Sequence, residues 1–276
     1  MEDPAHLARG VLLGYFVEIC ITPYLPPFVS LSIPVPYLYN ELDVKALSLH
    51  PWQVAPDEAQ RIQRELAGLV STRHELGDVR RVAGADISLD RVRNLARAAV
   101  VILSYPGMEL LEKRMVERDL SFPYVPGLLS FREAPAILDA FEKVRESPDL
   151  LLVDGQGLAH PRRFGIACHL GLLLDLPAIG CAKSRLVGCH DVVPEAPGSQ
   201  AEVVDRGQVV GVALRTKAGG RPVHVSVGHK VDLATAVRLV MDCVRGYRLP
   251  EPARLAHGAA AGPVEDLGNR FSTDNG

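Results

Sequence analysis

Four consecutive aliphatic residues, Leu150 to Val153, run straight into Asp154 and the glycine-rich turn Gly155-Gln156-Gly157. A strand that is apolar on both faces needs cover on both faces. That is the signature of a parallel strand buried inside a layered α/β sheet. The surrounding pattern agrees. Strands are expected over residues 79–89, 98–105, 177–182, 203–204, 209–214 and 223–227, the last group including a hairpin turned at Asp205-Arg206-Gly207. Amphipathic helices are expected over 57–70, 128–145, 163–174 and 233–244. Residues 109–120 fit either a helix or a strand, and the need for a hairpin partner after 98–105 favours strand. Three early strands followed by alternating helix and strand give a mixed sheet with helices on its faces, and no internal repeat appears.

The ends differ from this core. Prolines crowd from Pro23 to Pro36 without helical or strand period, so residues 1–46 read as an N-terminal extension, poorly ordered. Residues 258–276 are rich in Gly, Ala, Asp and Asn and read as a disordered tail. The domain is therefore expected over 47–257. The apolar segment 11–22 contains Glu18 and is too short to span a membrane. It also lacks the basic start and small-residue cleavage site of a signal peptide. Five scattered cysteines without CxxC or zinc spacing suit reduced thiols in a cytoplasmic protein. A net charge of −3 argues against a nonspecific nucleic-acid coat, while leaving room for a local basic groove. No membrane and no obligate protein partner is implied.

Three acids from separate elements stand out. Asp86 interrupts the apolar strand Val82-Ala83-Gly84-Ala85; it is either a solvent-facing edge residue or one that is paired or metal-bound. Asp154 ends a core strand, where α/β proteins place their sites, or else caps a turn. Glu133 lies in the first turns of a helix, where the helix dipole by itself favours a carboxylate. If they converge, oxygen ligands of this kind select Mg²⁺ or Mn²⁺ and suit phosphodiester hydrolysis. Lys183, just past a strand, could neutralise a phosphate or simply face water. His160 and His229 are candidate acid–base groups or polar loop residues. Arg162-Arg163 could hold phosphates or open a solvated helix. Tyr124, locked between Pro123 and Pro126, is either a core anchor of its loop or an exposed wedge for a base stack.

The segments VAGADIS, SYPGMELLE, FPYVPGLLSFRE, VDGQGLAHPRRFGIACHLG, GCAKSRL and SVGHKVDL occur in this order. The chain thereby resembles endonuclease V, the deoxyinosine-specific nuclease family, from about His50-Pro51-Trp52 to Arg254-Leu255-Ala256-His257. The resemblance implies a ribonuclease H-like fold. It implies Mg²⁺-dependent hydrolysis of the second phosphodiester bond 3′ to deoxyinosine, leaving 3′-hydroxyl and 5′-phosphate ends. It maps catalytic carboxylates onto Asp86, Glu133 and Asp154, with Asp86 and Asp154 as principal metal ligands, and the active-site lysine onto Lys183. It maps a strand-separating wedge onto Pro123, Tyr124, Val125 and Pro126, with Val125 where the family typically has Ile. Gly127, Leu129 and Gly155 would form the pocket for the extruded base. His160 and His229 match positions near the site, and Asp232 is a weaker candidate. The implied partner is inosine-containing DNA, with inosine RNA as the alternative substrate and a catalytically inactive binding protein as a further one.

Overall fold

The computed structural model describes residues 46–90 and 92–262. Of the expected N-terminal extension only Ala46 is among them, and residues 263–276 of the expected tail also fall outside. Among the described residues, eight strands form one sheet, in the order β3-β2-β1-β4-β5-β8-β7-β6. The strands are β1 (Arg81–Asp90), β2 (Leu95–Ser104), β3 (Leu110–Asp119), β4 (Leu150–Val153), β5 (Ala178–Ala182), β6 (Gln200–Asp205), β7 (Gln208–Leu214) and β8 (Val223–His229). The helices are α1 (Pro56–Ala67), α2 (Leu129–Phe141), α3 (Ile166–Leu173), α4 (Leu233–Asp242) and α5 (Glu251–Ala261).

The ambiguous segment 109–120 is a strand, paired antiparallel with β2. The central run Leu150–Val153 lies parallel to both β1 and β5 and is buried along its whole length. Helix cover on both faces follows from that burial. One face packs Ala83, Ala85, Leu151 and Val153 against α2 and α3, with Ile137 and Phe141 at its centre. The other packs Val82, Leu150, Leu152 and Ile179 against α4 and α5. Burying a side chain the size of Phe141 contributes roughly 1.5–3 kcal/mol, so both faces hold the sheet firmly under the site.

Two departures from the expected elements bear on the site. Helix α3 begins at Ile166 rather than at residue 163, because Arg163 takes a left-handed φ of 55° that interrupts a helix. Helix α5 has no counterpart among the expected helices; it begins at Glu251, inside the expected domain, and runs through Ala261, across the expected domain end at 257. Its buried residues include Ala253, Ala256 and Ala260, a stripe spaced for a helix but made of side chains too small to show as a hydrophobic pattern.

That stripe lets α5 approach the sheet closely. A Cβ on Gly84 of β1 would lie 2.0 Å from the Pro252 carbonyl oxygen, so only glycine fits beneath the helix start. Among the described residues no helix is long and apolar enough to cross a membrane, and Cys168, Cys181, Cys189 and Cys243 are free thiols.

Candidate active site

The register of the central strands brings two acids together. Parallel pairing matches Ala85 with Val153, so Asp86 and Asp154 are the next residues on neighbouring strands. Strand β4 stops there while β1 continues to Asp90, which opens a notch in the sheet beside Asp86. The carboxylate of Asp154 receives Lys183 from the end of β5, with Nζ 2.5 Å from Oδ2. Burial first, and then the neighbouring charge of Asp154, raise the pKa of Asp86 above the usual carboxylate range.

A third side chain completes the group. His257 of α5 places Nδ1 2.6 Å from Asp86 Oδ2 and 3.4 Å from Lys183 Nζ. One ligand atom from each of Asp86, Asp154 and His257 falls within 4.8 Å of the others. The seat at Gly84 explains how. Five helical residues from Pro252 to His257 advance about 7.5 Å, and two strand residues from Gly84 to Asp86 advance about 6.6 Å. The helix therefore carries His257 over Asp86. The sequence signals for this helix were present, namely Pro252 within its first two positions, Glu251 in its first turn and an alanine-rich body.

Glu133 reaches the same centre from α2, on the opposite face. It lies beyond the first turn, which contains no acid, so the dipole does not account for it. Burial, then the charge of Asp86, push its pKa up to about 8. It feels both aspartates electrostatically but is not one of the three groups that cluster for a shared ion.

The proline loop is clamped at its ends and free at its tip. Phe122 and Leu128 are buried with Phe131 and Phe164, while Tyr124 is 70% exposed. That excludes a core-anchoring role for the tyrosine. A cavity of about 160 Å³ opens beneath the loop, lined by Tyr124, Val125, Pro126, Gly127, Leu129 and residues of the loop after β4. Gly155 is not part of its lining; it is glycine because Ile166 Cγ2 stands 2.4 Å from where a Cβ would be.

His160 belongs to this cavity and not to the acidic group. Its Nε2 donates to the Gly127 carbonyl at 3.0 Å, and its Nδ1 accepts from the Arg162 backbone at 3.2 Å. Burial lowers its pKa to about 4, so the ring is neutral. Gln63 and Arg162 donate to the same carbonyl, so three side chains fix Gly127, whose φ of +78° suits glycine.

Other expected site residues are placed elsewhere. His229 pairs with Ala178 at the far end of β5 from Lys183. At about 3.3 Å per residue, the five residues of β5 between them put it roughly 16 Å from Lys183. Its Nδ1 instead accepts from the Ser71 backbone. Asp232 caps α4 by accepting from the Thr235 backbone. Arg163 pairs with Asp205, and Arg162 holds Gln63 and Gly127. None of these four faces the acidic group, so His229 is set apart from the carboxylates, and Arg162 and Arg163 do not open a helix.

Two aspartates side by side, one within β1 and one just past the end of the parallel β4, a lysine on one of them and helices on both faces define a ribonuclease H-like metal-dependent nuclease. Residues 64–258 match the family model described as Endonuclease V, and the chain belongs to the endonuclease V family. Endonuclease V of Dehalococcoides mccartyi strain BAV1 is 54% identical over 220 residues, covering 80% of this chain and 99% of the relative. The crystal structure of endonuclease V from Streptomyces avermitilis superposes with a TM-score of 0.73 at 38% identity, over 79% of this chain and 95% of that one. A crystal structure of Ciona intestinalis endonuclease V in complex with DNA containing an inosine followed by a ribo-adenosine superposes with a TM-score of 0.66 at 29% identity, over 74% of this chain and 96% of that one.

Proposed function

We infer that the chain is a DNA repair endonuclease that cleaves at the second phosphodiester bond 3′ to deoxyinosine. The observation that carries the chemistry is the convergence of Asp86 and Asp154, which the sheet register holds side by side. Two half-buried carboxylates repel one another, and Lys183 offsets only part of that charge. A hard divalent cation fits such a site, with Asp86 and Asp154 as its holders and His257 at its edge. The family is Mg²⁺-dependent; Mn²⁺ is the alternative ion here. When bound, the ion supplies water activation and stabilises the leaving oxygen, giving 3′-hydroxyl and 5′-phosphate ends.

The chain's own residues divide the remaining work. Lys183 offers positive charge to the phosphate. Burial and the charge of Asp86 raise the pKa of Glu133 to about 8, which favours its protonated form near neutral pH. Tyr124 is the wedge, presented to solvent by a loop anchored through Phe122 and Leu128. The cavity under it takes the extruded base, whose weak pairing makes extrusion cheap. The setting is a cytoplasm that keeps the free thiols reduced.

Inosine-containing RNA is the second reading. The Ciona relative was crystallised on DNA with a ribo-adenosine directly after the inosine, which makes the sugar at that position worth testing. Cleavage is to be measured with Mg²⁺ on matched single strands and duplexes, each carrying a deoxy- or ribo-sugar at and just 3′ of the inosine, with the cut mapped. Cutting of deoxyinosine DNA at the second bond supports the repair reading. Much faster cutting of inosine RNA would replace it, and binding without cutting would point to an inactive relative.

A further inference from the structure

Lys183 stands at the point where the sheet stops holding its backbone. Strand β5 pairs with β8 as far as Ala182, which faces His224. Val223, the next residue of β8, pairs with Leu214 of β7 and with no residue of β5. The two carbonyls beyond the ladder are held by side chains instead. Gln156, two residues past Asp154, donates from Nε2 to the Ser184 carbonyl at 2.8 Å. Arg248 donates from Nη2 to the Lys183 carbonyl, and the same nitrogen donates to the Pro222 carbonyl at 2.8 Å. Its Nε donates to the Arg221 carbonyl at 2.9 Å. A planar guanidinium thus ties the end of β5 to the residues that lead into β8.

Arg248 is itself anchored, since its own carbonyl accepts from Thr216 Oγ1 at 2.6 Å. Among the described residues its side-chain hydrogen bonds all go to main-chain carbonyls, and the carboxylate whose charge acts on it is Asp154. It is therefore a post for the chain beside the acid that already holds Lys183.

We propose that Arg248 is a positioning residue for cleavage, which sets the reach of the Lys183 ammonium by holding the Lys183 carbonyl. The proposal rests on the reading of Lys183 as the cation that faces the phosphate. Lys183 Nζ lies 2.5 Å from Asp154 Oδ2 and 3.4 Å from His257 Nδ1, at the end of a flexible four-carbon stem. A stem of that kind aims its charge only if the backbone behind it is fixed. A misplacement of about 1 Å at a reacting centre costs on the order of 100-fold in rate. The competing explanation is structural: Arg248 lies three residues before α5 and could merely steady the helix that carries His257.

The test is a pair of double-mutant cycles, read as single-turnover cleavage of a deoxyinosine duplex in Mg²⁺ and as equilibrium binding of that duplex in Ca²⁺. Arg248→Ala is expected to lower the cleavage rate about 100-fold with little change in binding. Adding it to Lys183→Ala is expected to cost almost nothing more, whereas adding it to His257→Ala costs its full amount. Millimolar guanidinium, far below denaturing concentrations, is expected to restore part of the rate of Arg248→Ala and none of the rate of Lys183→Ala. Hydrogen exchange of the metal-free protein gives a readout independent of activity: residues 183–186 exchange faster in Arg248→Ala, while residues 251–261 exchange as before. An unaltered rate, a full further loss in the Lys183→Ala background, or faster exchange over 251–261 would overturn the proposal. A wild-type rate for Lys183→Ala would instead remove the reading on which it rests. Arg248→Lys keeps charge and stem and runs the same cycles if Arg248→Ala fails to fold. It is expected to lose nearly as much rate, because an ammonium does not reproduce the planar fork.

Discussion

His257 Nδ1 lies 2.6 Å from Asp86 Oδ2, joining the last described helix to the first strand across 171 residues of chain. The contact depends on a helix that packs through alanines onto a glycine, and it brings an imidazole to the pair of acids formed by strand register. His257→Ala is expected to lower the cleavage rate about 100-fold or more. Asp154→Ala is expected to abolish it while inosine-DNA binding survives, because the cavity is untouched. Single-turnover rates and equilibrium binding on one substrate distinguish the two losses. A wild-type rate for Asp154→Ala would remove the carboxylate centre from the mechanism.

Gly84→Ala tests the seat of α5. The added methyl would meet the Pro252 carbonyl at 2.0 Å, so the helix must lift. We expect a destabilisation of about 1–3 kcal/mol from overpacking, together with a loss of activity larger than that instability explains, since His257 moves with the helix. Chemical unfolding and cleavage rates measured well below the unfolding midpoint check this.

Tyr124 separates recognition from chemistry. It is 70% exposed in the free protein, so its removal leaves no core void. Tyr124→Ala is expected to leave stability within experimental error and to weaken inosine-DNA binding by about 1–3 kcal/mol, the range for loss of a base-stacking aromatic. The single-turnover rate at saturation is expected to change much less. Unchanged affinity and rate would remove the wedge role.

The pH dependence of folding is expected to carry the signature of His160. Its folded pKa is lowered to about 4 by burial, against an ordinary value of 6.5. The unfolded chain therefore binds a proton that the folded chain refuses between those values. Stability from this group is complete above pH 6.5 and is lost as pH falls toward 4, at no more than about 1.4 kcal/mol per pH unit. Urea unfolding from pH 7 to pH 4.5, with His160→Gln as the comparison, isolates the contribution; the variant should show a shallower decline. Parallel curves for the two proteins would count against a neutral, buried His160 as the brace of Gly127.

The acids show how far sequence reading reaches. Asp154 was visible because a solid aliphatic run marks a buried parallel strand and its end marks a site. Tyr124 was visible because flanking prolines restrict the loop, though only the structure decided that the ring faces solvent. Glu133 was visible as a residue, with the wrong cause: its environment is set by Asp86 on another element and by burial, neither of which is local. His229 looked like a site histidine because it follows a strand, but antiparallel pairing of β8 with β5 sends it to the opposite end of the sheet.

The order of most strands and of the first four helices, the candidate carboxylates and the stiff loop were determined by local pattern, because periodicity, proline and glycine act over a few residues. Which residues meet was decided by tertiary structure. Register placed Asp86 beside Asp154, and close helix packing on Gly84 placed His257 above them. An alanine stripe carries almost no hydrophobic contrast along the chain, so the contact it makes possible becomes evident only when the helix lies against the sheet.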